Sequence, residues 1–184
     1  MSKEFGVEVE GKAFLLRPDT PKEGTPRQPR PGEDGGDQLS EPLRSRAEES
    51  GLVMRRLPLV PYTMYALEAT EYSKEQGAFD AFHHAAYKAL WEDKKNLGDL
   101  EVLGDLANDC GLNWPELRDR LESGYYRETI ISQYQEAVSM GIRGIPAFLM
   151  GKMLFTGAQD YSVFKKVLSQ VLEDPVGGGG KVIG

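Results

Sequence analysis

The residues of this sequence that could do chemistry by themselves are few. There is one cysteine, Cys110, and there are two adjacent histidines, His83 and His84. A single cysteine can form neither an internal disulfide nor, without other ligands, a metal site. Neighbours on a helix point about 100° apart, whereas a helical metal site favours an i, i+4 pair. The histidine pair therefore predicts an ordinary helical position, and we expect no metal.

Cys110 is the last residue of an apolar stripe at helical spacing. The stripe begins after Asp99, and aspartate favours the position just before a helix. A thiolate near the C-terminal end of a helix is disfavoured by the helix dipole. A buried cysteine usually behaves as a small apolar residue. We therefore predict that Cys110 belongs to the core and is not a redox centre.

Composition limits the classes of function. The chain has 184 residues, 40% of them apolar, and a net charge of -7. This suits one domain with an insertion and argues against a general nucleic-acid role, which needs clustered Lys and Arg. No apolar run approaches the ~20 residues that span a bilayer. The first residues carry no apolar signal core, so the sequence predicts a cytoplasmic protein if nothing precedes Met1.

The pattern of side chains changes twice along the chain. Residues 7–16 alternate and then become apolar, which predicts a strand entering a core. Residues 18–37 contain nine Pro or Gly and no aliphatic or aromatic side chain, which predicts a mobile loop. From about residue 39 to residue 142 the apolar period is helical. The expected helix starts in this block are Pro61, Asp80, Asp99 and Pro115.

After residue 142 the period returns to that of strands. Residues 146–150 and 153–156 are short apolar runs on either side of Gly151-Lys152, which predicts a hairpin with a Gly-X type II′ turn. Asp160 is expected to cap a last amphipathic helix, and the glycine run 177–180 predicts a flexible tail.

Two motifs resemble the DsbA-like thioredoxin-fold oxidoreductases, closest to the FrnE type. One is the run from Gly141 to Leu149, Gly-Ile-Arg-Gly-Ile-Pro-Ala-Phe-Leu, followed by Gly157-Ala158-Gln159; the other is Phe14-Leu-Leu-Arg-Pro-Asp19. The resemblance implies an α/β thioredoxin-like fold, incomplete at the N-terminus, with a large all-helical insertion. It places the thioredoxin-like part at 1–38 and 143–176, the insertion at 39–142 and the flexible tail at 177–184.

The departures from the family pattern matter as much. The family begins with a strand and a Cys-x-x-Cys helix, of which residues 1–6 resemble only the last turn. Without that unit, the strand at 7–16 is expected to lack its sheet partner. Three explanations stay open: further residues precede Met1, another chain completes the sheet, or the remaining part folds poorly. A second departure is Tyr62, where many relatives have Asn.

The resemblance also implies a binding site. It predicts a cis Ile145–Pro146 peptide bond, whose geometry turns the Ile145 backbone toward an extended peptide. Gly144 either permits close approach of that peptide or is simply a turn glycine. Gln159 is a possible further contact, with exposure beside a cap at Asp160 as the alternative. No catalytic residue is present. The predicted partners are proteins or peptides carrying a thiol or disulfide, with no nucleic acid and no membrane.

Three functions stay open at this level. The resemblance favours a thiol–disulfide oxidoreductase whose redox-active segment is absent from these residues. An alternative is a glutathione-dependent isomerase of the 2-hydroxychromene-2-carboxylate isomerase type, which uses serine in place of the cysteine pair. The third is a non-catalytic peptide-binding module. No cofactor is required by the first, although glutathione is possible.

Overall fold

The computed structural model describes residues 2–29, 36–173 and 182–183. Contacts divide the chain into two compact units: residues 1–16 with 131–184, the sheet unit, and residues 17–130, the helical unit. The predicted boundaries were 38/39 and 142/143. The contacts therefore group residues 17–38 with the helices and residues 131–142 with the sheet.

The predicted hairpin in the sheet unit is confirmed. Strands β4 (Ala147–Met150) and β5 (Met153–Thr156) pair antiparallel, from Ala147 opposite Thr156 to Met150 opposite Met153. Gly151 has φ 58°, a value that a glycine adopts without steric cost in this turn. The last helix, α8 (Tyr161–Glu173), begins directly after Asp160, and its Phe164, Val167 and Leu168 are buried in the same cluster as Met150.

The first segment of the sheet unit is shorter than predicted. A helical turn, α1 (Ser2–Phe5), precedes strand β1, which covers only Val9–Glu10. Beyond it, side chains of helix α7 (Arg127–Ser139) hold residues 12–14 in place of a ladder: the Ala13 N–H donates to Gln133 Oε1 at 2.6 Å, and the Phe14 and Tyr134 rings lie 5.3 Å apart.

The expectation that this strand lacks a partner is wrong at Val9 and Glu10. Strand β6 (Val182–Ile183) lies between β1 and β4, parallel to the first and antiparallel to the second, giving the order β1-β6-β4-β5. It satisfies backbone groups on both neighbours. The predicted tail at 177–184 otherwise lies outside the described residues, and at 182–183 it is a strand rather than a flexible segment.

The helical unit contains α2 (Leu43–Glu49), α3 (Met64–Glu75), α4 (Phe79–Trp91), α5 (Leu100–Asp109), α6 (Trp114–Ser123) and the start of α7. Their shared core includes side chains with no exposed surface, and each such leucine contributes about 1.5–3 kcal/mol by burial. These are Ala69, Tyr72, Phe82, Leu103, Ala107, Leu117 and Leu121.

Some predicted helix starts hold and others do not. The Asp99 side chain accepts from the Glu101 N–H at 2.9 Å, as an N-cap does, and Pro115 lies in the first turn of α6. Pro61 does not begin a helix, because α3 starts at Met64. Asp80 is not a cap, because α4 starts one residue earlier, at Phe79.

The block at 39–142 is not all-helical, and part of the preceding loop is ordered by it. Strand β2 (Thr25–Pro26) pairs antiparallel with β3 (Leu59–Val60) in a separate two-stranded sheet. Gly24 has φ 74°, and a Cβ there would lie 2.8 Å from the Val60 carbonyl oxygen, so the close approach requires glycine. Residues 30–35 of the predicted mobile loop lie outside the described residues.

Candidate functional site

The candidate site is the segment that leads into β4. The Ile145–Pro146 peptide bond is cis, as the sequence analysis expects, and the segment borders a cavity of about 350 Å³ in the sheet unit. Pro146 is fixed on one side, since the Gly157 N–H donates to its carbonyl oxygen at 2.8 Å and the ladder with β5 begins at the next residue. The cavity is lined by Gly141, Arg143, Gly144, Ile145, Pro146, Thr156 and Gly157.

The backbone on the other side of this segment is open. The Ile145 N–H and C=O have no hydrogen-bond partner among the described residues, and 47% of the residue is exposed. A Cβ added at Gly144 would meet no atom within 4 Å. An extended chain can therefore approach this backbone and pair with it, as in strand addition.

Gln159 lies beside the cavity and does not line it. Its side-chain nitrogen donates to the Thr156 carbonyl oxygen at 2.8 Å, and the residue is exposed. The structure thus brings Gly144, Ile145 and Pro146 together and gives Gln159 a local contact.

Sequence reasoning missed Arg143 and Thr156, which also line the cavity. The available signal for Arg143 was its place in the same Gly-Ile-Arg-Gly-Ile-Pro run.

Cys110 is placed as predicted. It is the C-cap of α5, it is half-buried, and it packs against the core of the helical unit. Burial, together with the neighbouring Asp109 carboxylate, raises the pKa of the Cys110 thiol. Because the thiolate is the nucleophilic form, both causes reduce its reactivity.

His83 lies between two aromatic rings. The His83 ring stacks on Phe79 at 5.0 Å and lies 4.7 Å from Tyr87. His83 is exposed, and its pKa is lowered because the protein around it partly desolvates the charged form. In the described part of the chain no group of three or more His, Cys, Asp or Glu side chains is arranged to hold a metal ion.

The helical unit holds a buried charge that the sequence analysis missed. Glu68 on α3 has no exposed surface; its Oε1 pairs with Arg127 Nε at 3.2 Å, and its Oε2 has no hydrogen-bond partner among the described residues. Desolvation raises the pKa of Glu68, and Arg127 partly opposes this. Tyr62, the departure from the family pattern, contacts the Tyr65 ring at 5.1 Å, and burial raises the pKa of its hydroxyl.

These features define a thioredoxin-like protein in which a cis-proline segment borders an open surface pocket. The model of the DSBA-like thioredoxin domain family matches residues 1–169, and this chain belongs to that family. The uncharacterized protein YwbO of Bacillus subtilis strain 168 is 29% identical over 170 residues, which are 89% of this chain and 82% of that protein.

A solved structure shows the same fold. The probable DsbA oxidoreductase SCO1869 from Streptomyces coelicolor superposes with a TM-score of 0.75 at 24% identity, over 89% of this chain and 74% of that one. The chain therefore has a DsbA-like thioredoxin fold with a large helical content. None of its described helices has the length and apolar character to cross a membrane.

Proposed function

We propose that this chain holds extended segments of thiol- or disulfide-containing proteins at the Ile145–Pro146 edge, as the substrate-binding part of a DsbA-family thiol–disulfide oxidoreductase. Family membership supports thiol oxidoreductase-like function at the level of the family. The observation that carries the finer proposal is the unpaired Ile145 backbone beside the cavity of about 350 Å³.

The chemistry of the class explains why such an edge is useful. In thiol–disulfide exchange a thiolate attacks one sulfur of a disulfide, and a second thiol resolves the mixed disulfide. An edge that fixes the substrate backbone presents its sulfur in one orientation. The 184 residues contain one cysteine, and its raised pKa makes it a poor nucleophile. The contribution proposed for these residues is therefore binding.

Glutathione is a second ligand to test at the same edge. It is a short peptide-like thiol, and the cavity lies in the size range of about 300–1,000 Å³ that small-molecule sites occupy. We propose that it competes with extended peptides because both would pair with the Ile145 backbone.

The test blocks the approach without disturbing the fold. Gly144→Leu places a side chain in the open space before the edge, whereas Gly144→Ala adds one methyl group that meets no atom within 4 Å. Fluorescence anisotropy with a labelled extended peptide, in which serine replaces cysteine, should show binding to the wild type and to Gly144→Ala. It should show at least about tenfold weaker binding to Gly144→Leu, the equivalent of ~1.4 kcal/mol.

Two results would contradict the proposal. One is an unchanged affinity in Gly144→Leu when circular dichroism shows that the variant is folded. The other is a wild-type chain that binds no extended peptide at all.

The single cysteine specifically favours one second candidate, a non-catalytic peptide-binding module. Both candidates predict peptide binding, and both predict that this chain alone does not reduce insulin. They differ in the encoding sequence upstream of Met1, where an in-frame Cys-x-x-Cys supports the oxidoreductase and a stop codon supports the module.

A further inference from the structure

We infer that Arg143 makes the Ile145–Pro146 edge selective for acidic segments, so that the preferred ligand is an extended peptide with a carboxylate close to the residue that pairs with Ile145. This inference rests on the proposed function and names the substrate class of the same site.

The first observation is that Arg143 is available. It lines the cavity, it is exposed, and it forms no ion pair with any of the described residues. The whole sequence has 29 acidic residues against 22 Lys and Arg, so intramolecular partners for an arginine are abundant. A guanidinium without a carboxylate partner among the described residues, at the rim of an open pocket, can bind a carboxylate of a ligand, because its planar donors match both carboxylate oxygens.

The second observation is the position of Arg143 relative to the open backbone. It lies two residues before Ile145, with Gly144 between them, and a Cβ at Gly144 would meet nothing within 4 Å. A peptide that pairs with the Ile145 backbone therefore passes Arg143 without a steric obstacle. Ile145 itself is 47% exposed and offers an apolar contact beside the cation.

The remaining lining contributes no charge. Besides Arg143, the cavity is bounded by three glycines, Ile145, Pro146 and Thr156. The backbone edge accepts any extended peptide, and the guanidinium is the one charged group of the lining that can distinguish among side chains. Acidic peptides should therefore bind more tightly than neutral ones, and basic peptides less tightly.

The experiment compares three thiol-free peptides that differ at one position, two residues from the central serine, where they carry Glu, Gln or Lys. Exposed ion pairs of this kind are worth a ratio of about two- to fivefold in affinity. We expect the Glu peptide to bind that much more tightly than the Gln peptide, and we expect the ratio to fall toward one at high salt. Arg143→Gln should bring the Glu-to-Gln affinity ratio to about one. Arg143→Glu should reverse the preference, so that the Lys peptide binds more tightly than the Glu peptide.

Lys152→Gln is the matched control, since it removes the same charge from the exposed turn at the other end of the hairpin. It should leave the Glu-to-Gln ratio unchanged. The inference is overturned if the wild type binds the Glu and Gln peptides equally, or if Lys152→Gln lowers the ratio as much as Arg143→Gln. Binding of the Gln peptide tests the proposed function separately, because a wild type that does not bind it has no general peptide edge.

Discussion

Removal of the Arg127 guanidinium should destabilise the helical unit more than any exposed ion pair does. The Arg127→Met variant leaves the Glu68 carboxylate, which has no exposed surface, without its cationic partner. Breaking a fully buried pair on one side costs about 3–5 kcal/mol. Because 37% of the Arg127 side chain is exposed and water screens it there, we expect a smaller loss of about 1–3 kcal/mol at neutral pH.

The assay is urea denaturation followed by tryptophan fluorescence. Both tryptophans, Trp91 and Trp114, lie in the helical unit and report its unfolding. The control is Arg118→Met, which removes an exposed partner of Glu122 and should change the free energy of unfolding by no more than about 0.5 kcal/mol. The double variant Glu68→Leu/Arg127→Met should lie within about 1 kcal/mol of the wild type, because an apolar pair has no buried charge.

The pH dependence gives the same reasoning a second test. The pKa of Glu68 is raised in the folded state, so in the window between its ordinary and its raised value the folded chain binds more protons than the unfolded chain. The stabilising contribution of Glu68 is therefore complete below the ordinary value and is lost as the pH rises through the raised one. The wild type should accordingly lose stability relative to Glu68→Gln as the pH rises through that window. In Arg127→Met the same loss of stability should extend to higher pH, because Arg127 no longer lowers the pKa of Glu68. Equal costs for Arg127→Met and Arg118→Met, with no pH dependence relative to Glu68→Gln, would refute this account.

Two further predictions concern α5. Gly104→Ala should destabilise the helical unit by about 1–2 kcal/mol, despite the better helix propensity of alanine, because the new Cβ would lie 2.8 Å from the Trp114 ring; stabilisation in the urea assay would contradict this. Cys110 should react with a disulfide reagent more slowly in the native chain than in urea, because burial and Asp109 raise its pKa; a native rate at or above the unfolded rate would contradict this.

The parts of the fold that could be predicted are those with local signals. The hairpin has a period of two and a Gly-X turn, and α5 has both a stripe and an aspartate cap. Strands β2, β3 and β6 cover two residues each, which is too short for any periodicity, and they exist through pairing with distant residues. The same limit explains β1, because residues 12–14 are held by side chains of α7 whose positions a linear pattern does not contain.

The sequence predicts which backbone segment forms the candidate site, but not which side chains around it are available to a ligand. The Gly-Ile-Arg-Gly-Ile-Pro run located Gly144, Ile145 and Pro146, but the availability of Arg143 depends on which carboxylates the fold brings near it. The sequence does contain a signal for the burial of Glu68. It lies three residues after Tyr65 and four before Tyr72, and therefore on the apolar face of α3. A charged residue at a core position of a helical stripe indicates a buried partner, although the sequence does not reveal that Arg127 provides it.

The strands and the cluster around the proposed edge hold it in place, so it should bind a ligand without rearranging. Pro146 is held by the Gly157 N–H, and β4 is fixed from its first residue by β5 and further along by β6 and the cluster around Met150 and Phe164. The segment is therefore anchored on the strand side and open at Ile145 and Arg143. Because the backbone groups are already oriented, a ligand loses mainly its own conformational freedom on binding. Changes that leave the edge accessible, such as Gly144→Ala, should thus affect affinity little. Changes that loosen β4 should weaken binding of acidic and neutral peptides alike and leave the selectivity due to Arg143 intact.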